Sequence, residues 1–308
     1  MTNNRVKPFV KWAGGKSKLL NEIELRLRYS GLERFTYVEP FAGGGAVLFW
    51  ILEKYPMIKK AVINDTNSDL VNAYRTVADY PVALIASLGR LQEKYYSLNF
   101  DLEGQKEFYY EKRELFNERS VNNIDQSSLM IFLNKTCFNG LYRVNRGNGF
   151  NVPMGRYKTP TICDAKGLTR CSELLQKVIV LEGDYRDTFK YASPDSLFYM
   201  DPPYRPLNST SNFNSYAKDA FNDESQVALR NYCDKLTEEA KCLWLLSNSD
   251  MKNVDEDDNF FDDLYKSYYI DRVSVSRSIN SNASKRGAIT ELMINNYGYS
   301  SEEMKDVG

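Results

Sequence analysis

The chain of 308 residues contains no histidine. That absence removes Ser-His-Asp and Cys-His nucleophilic catalysis, histidine general bases and histidine-ligated metals. Any chemistry must then run on carboxylates, backbone groups, tyrosine or a cofactor. Cysteine is scarce. Cys137, Cys163, Cys171, Cys233 and Cys242 are odd in number, widely spaced and without a Cys-x-x-Cys, so neither a disulfide framework nor a zinc site is indicated. No uninterrupted apolar stretch approaches the roughly 20 residues of a membrane span. The polar start MTNNRVK lacks the apolar middle of a signal peptide, so the expectation is a cytoplasmic protein with no membrane partner. A net charge of −1 does not by itself announce a nucleic-acid partner.

What is present begins with a core-forming composition, 43% hydrophobic, enough for one large domain or a domain with an insertion. FTYVEP (35–40) reads as a strand, FAGGGA as a glycine turn and AVLFWILEKY as a helix. KAVIND (60–65) reads as a second strand ending on an acid, and TNSDLVNAYRTVAD has helix-start chemistry. This alternation predicts α/β winding around a parallel sheet. Residues 81–135 turn helical in pattern, and 136–158 place two short extended runs about RGNG, the signature of a hairpin. The α/β rhythm then resumes with KVIVLEGD (177–184), DSLFYMDPPY (195–204), a helix near 223–240 and KCLWLLSNSD (241–250). The acidic run DEDDNFFDD (255–263) reads as an exposed, solvated loop.

KPFVKWAGGKSKLL (7–20) looks like a phosphate cradle, but a P-loop needs a glycine where Val10 stands, so the segment requires another ligand or none. The Gly43-Gly44-Gly45 turn is not the G-x-G-x-x-G fingerprint, which takes away the main support for hydride transfer. Asp65, 20 residues beyond Gly45, ends the next strand, where a carboxylate commonly takes ribose hydroxyls. The pair fits a nucleoside-containing cofactor, although such turns and acids recur in many α/β proteins.

The tetrapeptide DPPY (201–204) carries the chemistry. The run SLFYM delivers Asp201 to the C-terminal edge of a strand, where open sheets bind ligands. Pro202 and Pro203 have no N–H, so the Asp201 side chain and the Pro202 carbonyl are left as acceptors. Two acceptors together suit an amino group with two hydrogens, and Tyr204 offers a flat face to the ring that bears it.

Taken in order, KWAGGKSKLL, VEPFAGGGA, INDTNSDL, DPPY and SNSD resemble the DNA adenine-N6 methyltransferases of the Dam type, with FNGLYR, FNVPMGRYK and RSINSN extending the match from Lys7 to Tyr297. The resemblance implies a Rossmann-like S-adenosylmethionine methyltransferase sheet with an inserted helical and β-hairpin DNA-recognition domain. On that pattern residues 1–80 and 159–308 form the catalytic domain, and 81–158 form the target-recognition domain, helical over about 81–135 and a hairpin over about 136–158. The implied catalytic residues are Asp201, Pro202, Pro203 and Tyr204. Those implied for the cofactor S-adenosylmethionine are Trp12, Lys16, Glu39, Phe41, Gly43, Asp65, Asp184, Tyr185 and Asp201. No metal is implied, because the sulfonium already activates the methyl group.

The implied partner is double-stranded DNA, bound by a monomer that acts on one strand at a time, which would associate the protein with the nucleoid. Local charge agrees: Lys135, Arg143, Arg146, Arg156, Lys158, Lys166 and Arg170 face one acid, Asp164, over their stretch, and 272–286 hold four bases and no acid. The pattern has Phe138 wedge into the duplex and Arg143 read a guanine, the natural bidentate pairing of that side chain. Leu141 and Pro153 would touch a thymine methyl, Asn139, Arg156 and Tyr157 would fix backbone or neighbouring bases, and Arg277, Asn280 and Asn282 would meet phosphates. GATC is the implied target, in a restriction–modification or replication-linked role. Methylation of cytosine N4 or of RNA uses the same acceptor logic, and a DNA-binding relative without catalysis is a further alternative. The lack of a Pro-Cys dipeptide argues against cytosine-C5 chemistry.

Overall fold

The computed structural model describes residues 5–27, 34–98, 101–205, 221–275 and 289–298. Its strands are β1 (Thr36–Glu39), β2 (Lys60–Asp65), β3 (Val178–Glu182), β4 (Ser196–Met200), β5 (Leu243–Ser249), β6 (Tyr269–Val275) and β7 (Ile289–Asn295). They form one seven-stranded sheet in the order β3-β2-β1-β4-β5-β7-β6. β1, β4 and β5 are parallel, with Val38 opposite Phe198 and Phe198 opposite Trp244, whereas β7 is antiparallel to both β5 and β6. The central strands read as continuous apolar runs because both faces are covered: all five residues of β4 are buried. The order reverses between β1 and β4, the topological switch point at which open α/β sheets of the Rossmann-like class hold ligands beyond the strand ends.

The helices start where short polar side chains take up orphan N–H groups. The Asn67 side chain accepts from the Leu70 amide to open α3 (Ser68–Asp79), which follows α1 (Leu20–Arg26) and α2 (Ala46–Lys54). Pro81 occupies the first turn of α4 (Pro81–Ser97), a position that needs no donor. Asp101 caps α5 (Leu102–Glu118), Asn122 caps α6 (Asn123–Thr136), Asp164 caps α7 (Ala165–Leu175) and Asn222 caps α8 (Asp223–Glu238). The short α9 (Phe260–Leu264) follows β5. Leu129 to Asn134 of α6 are all buried, as a helix packed on all sides requires.

Backbone contacts divide the chain into two compact units. One comprises 1–15, 42–56 and 63–184, the other 16–41, 57–62 and 185–308. The expected strands at 35–40, 60–65, 177–184, 195–204 and 241–250 correspond to β1 to β5. Over 136–158 the ladder is sparse. Two antiparallel bridges, Cys137 with Met154 and Val144 with Phe150, stand where the two short extended runs of a hairpin were expected, and Phe138–Gly140 form a 3₁₀ turn. The acidic run differs from its expectation. Asp258 pairs with Arg205 at 2.6 Å and Asp262 with Arg272 at 2.7 Å, so part of it is tied to the fold rather than freely solvated. No helix among the described residues is long and apolar enough to cross a membrane.

Candidate active site

In the second unit the chain leaves β4 at Met200 and immediately exposes Asp201 to the strand's C-terminal edge. Asp201 Oδ1 receives the Lys16 ammonium at 2.9 Å and the Ser247 hydroxyl at 3.0 Å. The sequence expectation of an unengaged carboxylate is therefore corrected: two protein donors meet one oxygen, because Lys16 is buried, at 5% exposure, and must find a counter-charge. Burial raises the Asp201 carboxyl above the usual carboxylate range, and Lys16 opposes that rise. The Pro202 carbonyl accepts no hydrogen bond among the described residues, whereas the Pro203 carbonyl accepts from Gln226 Nε2 at 3.2 Å.

Tyr204 lies under the same ammonium, with Lys16 Nζ 4.5 Å from its ring centroid. Its hydroxyl donates to Glu291 Oε2 at 2.6 Å, and that oxygen is also 3.8 Å from Lys16 Nζ. Burial, with Asp201 and Glu291 nearby, holds the phenol far above its ordinary value, so it remains a donor. At the end of β1, Glu39 is 2% exposed and accepts from the Tyr37 hydroxyl at 3.1 Å. Phe41 and Tyr185 face each other with centroids 5.1 Å apart, and Phe221 meets Phe41 edge-on at 5.9 Å.

The first unit holds the glycine turn. The Gly43 amide donates to Asp65 Oδ2 and the Asn67 amide to Oδ1, both at 2.9 Å. Burial raises the Asp65 carboxyl and these amides oppose the rise. Gly45 has φ +74°, and a Cβ there would lie 2.4 Å from the Tyr74 hydroxyl; one on Gly44 would lie 2.8 Å from Trp12 Cβ. The turn can therefore be built only of glycine. The Trp12 indole packs against Gly43 and stacks on Tyr142, with ring centroids 5.0 Å apart. Tyr142 donates to Asp69 Oδ2 at 2.6 Å, and the Arg119 guanidinium grips both oxygens of Asp69. Asp184 follows Gly183, whose amide donates to the Asp65 carbonyl at 3.1 Å.

The expected DNA-reading residues lie in the same unit along 138–157. Phe138, at 52% exposure, Asn139, Leu141, Arg143, Pro153 and Arg156 are exposed, while Tyr157 is half-buried with Lys11 Nζ 5.2 Å from its ring. Arg143 donates from Nε to the Asn151 side chain at 2.7 Å. The segment is anchored by buried Asn134, which donates to the carbonyls of Lys11 and Gly140 and accepts from the Lys11 amide. Arg277, Asn280 and Asn282 lie outside the described residues. Sequence reasoning missed Glu291, Asp69, Arg119 and Asn134, and gave Ser247 no role although it opens SNSD. Glu291 gave no local signal, being one acid in the strand ITELMIN.

Comparison with known proteins adds independent support. Residues 12–279 match the model of the D12 class of N6 adenine-specific DNA methyltransferases. The type II methyltransferase M.MjaIII of Methanocaldococcus jannaschii is 45% identical over 299 residues, covering 95% of this chain and 99% of that protein. The DNA adenine methylase of Vibrio cholerae is 34% identical, covering 93% and 95%, and that of Escherichia coli 32%, covering 95% of each. Such a family implies a methyl donor of the S-adenosylmethionine type. The chain belongs to the D12 class of N6 adenine-specific DNA methyltransferases.

Proposed function

We propose that the protein methylates N6 of an extruded adenine in duplex DNA, most readily in GATC, with S-adenosylmethionine as donor. The observation that carries this reading is Asp201 at the end of β4 beside a proline carbonyl with no hydrogen bond among the described residues and an aromatic ring one residue beyond Pro203. An exocyclic amine shares its lone pair with the ring and is a poor nucleophile. Two hydrogen bonds, to Asp201 and to the Pro202 carbonyl, draw it towards pyramidal geometry and aim the localised pair. Pro203 keeps that carbonyl fixed, and Tyr204 stacks on the base once it has left the duplex.

The residues present fit the donor. Asp65 is a half-buried carboxylate that accepts the amides of Asn67, Gly43 and Thr66, and two oxygens with about four lone-pair sites leave it acceptor capacity for a ribose hydroxyl. The turn of Gly43, Gly44 and Gly45 stays close to backbone thickness, with Trp12 and Tyr74 filling the space that a Cβ would take. Lys16 and Glu39 supply charge for the amino-acid end, while Phe41, Tyr185 and Asp184 suit the adenine. When bound, S-adenosylmethionine supplies a methyl group already activated by its sulfonium.

Within 81–158, the inserted recognition domain of this reading, Arg143 reads guanine, Leu141 and Pro153 meet a thymine methyl, and Phe138 fills the space left by the flipped base. Asn139, Arg156 and Tyr157, with Arg277, Asn280 and Asn282, hold the backbone. The enzyme acts as a monomer on one strand at a time, in the cytoplasm at the nucleoid. The test is to incubate unmethylated genomic DNA with protein and donor, digest it to nucleosides and sequence the modified sites. N6-methyladenine in GATC is expected. N4-methylcytosine as product, or modification scattered without a motif, would overturn the assignment.

A further inference from the structure

The cluster beyond β4 contains two carboxylates and one ammonium, although the acceptor chemistry above uses a single carboxylate. Asp201 has to receive an incoming N–H, yet its Oδ1 already holds both Lys16 Nζ, at 2.9 Å, and Ser247 Oγ, at 3.0 Å. Lys16 cannot simply withdraw. Separating a buried pair leaves an uncompensated charge, which is strongly destabilising. The second carboxylate resolves this. Glu291 Oε2 lies 3.8 Å from the same ammonium and accepts the Tyr204 hydroxyl at 2.6 Å.

We propose that Glu291 is a positioning residue of the methyl transfer: it takes Lys16 over from Asp201 as the target amine arrives, and it holds the Tyr204 ring in place by accepting its hydroxyl. The inference rests on the proposed function and deepens it. Three features support it. The distances to the two carboxylates, 2.9 and 3.8 Å, differ by less than one rotamer step of a flexible four-carbon stem with three donors. Glu291 sits on β7 opposite Ser249 of β5, within a hydrogen-bonded ladder on both sides, so its backbone is held by rigid elements. Finally, as the N–C bond forms and the sulfur–methyl bond breaks to leave a neutral thioether, the amine nitrogen gains positive charge, until its proton passes to the Asp201 carboxylate that accepts its hydrogen bond. A cluster with one ammonium against two carboxylates favours that charge, whereas Lys16 facing Asp201 alone would oppose it.

The test uses the full chain, unmethylated genomic DNA and excess donor, reading N6-methyladenine in single turnovers. Glu291→Gln keeps an acceptor for Tyr204 and removes the charge. It is expected to lower the turnover rate about 10- to 100-fold. Affinities for DNA and for S-adenosylhomocysteine should stay within about twofold, because the loss lies in the transition state. In a Lys16→Gln background the same change should have no further effect, since Glu291 acts through Lys16. A Glu291→Gln rate within about twofold of the parent, or a full loss that persists beside Lys16→Gln, overturns the proposal. If Glu291→Gln folds poorly, Glu291→Asp decides: a lowered rate at unchanged KM supports the role, and an unchanged rate refutes it. A parent whose product is not N6-methyladenine would instead refute the proposed function, so the two failures are distinguishable.

Discussion

Two aspartates end strands of the sheet, Asp65 on β2 and the residue just past β4, Asp201, and burial raises the carboxyl of both. What opposes burial differs. Asp65 is compensated by the amides of Asn67, Gly43 and Thr66, peptide dipoles that cannot leave without unmaking the turn. Asp201 is compensated by a lysine side chain and a hydroxyl, groups held by rotatable side-chain bonds rather than by the backbone, and the lysine has a second carboxylate, Glu291, 3.8 Å away. A carboxylate held by backbone is a fixture that presents its remaining lone pairs to a ligand. One held by side chains can exchange partners as a substrate enters. On the proposed reading, the same fold builds a static acceptor and an exchangeable one from the same residue type.

The contrast can be broken most severely at Asp201. Asp201→Asn should lower turnover about 10²- to 10³-fold in a methylation assay while the protein still unfolds cooperatively, and Asp65→Asn should instead weaken donor-analogue affinity. Next in size is the static side: Gly45→Ala, which forces a left-handed φ on alanine and a Cβ onto the Tyr74 hydroxyl, should cost about 2–4 kcal/mol in denaturant unfolding. Arg143→Ala should lose about 1–3 kcal/mol of discrimination at one guanine in competition binding, with little loss of stability because the side chain is exposed. The smallest effect concerns pH. Protonated Asp201 has lost acceptor capacity, so activity should fall as pH drops through a carboxyl raised by burial. Lys16 lowers that carboxyl, so Lys16→Gln should move the acid limb of the turnover profile to higher pH. A limb that stays put would mean that Lys16 and Asp201 are not coupled.

The sheet centre was legible because buried parallel strands are written as uninterrupted apolar runs, SLFYM and LWLL among them. The helix-start chemistry of TNSDL marked the opening of α3, where Asn67 is the cap. The antiparallel pair β6 and β7 escaped, since its register depends on β5, far along the chain, and on no local turn signal. That is also why Glu291 was invisible: an acid just ahead of the apolar run LMI looks like a solvent-facing position until the pairing with Ser249 sets it beside Lys16. The Asp201 motif could be read from two prolines and a preceding run, but Lys16 as its partner could not, because 185 residues of chain separate them. The acidic run misled for a similar reason: the cations that hold Asp258 and Asp262 come from Arg205, Lys252 and Arg272.

Of the three tryptophans, Trp50 and Trp244 are sealed in the core, at 7% and 0% exposure, while Trp12 is half-buried, in contact with a glycine turn and a tyrosine ring. The protein therefore carries an intrinsic optical probe at one defined place. A change in its ultraviolet emission during a titration reports on that spot against a steady background from the other two indoles, without any attached dye.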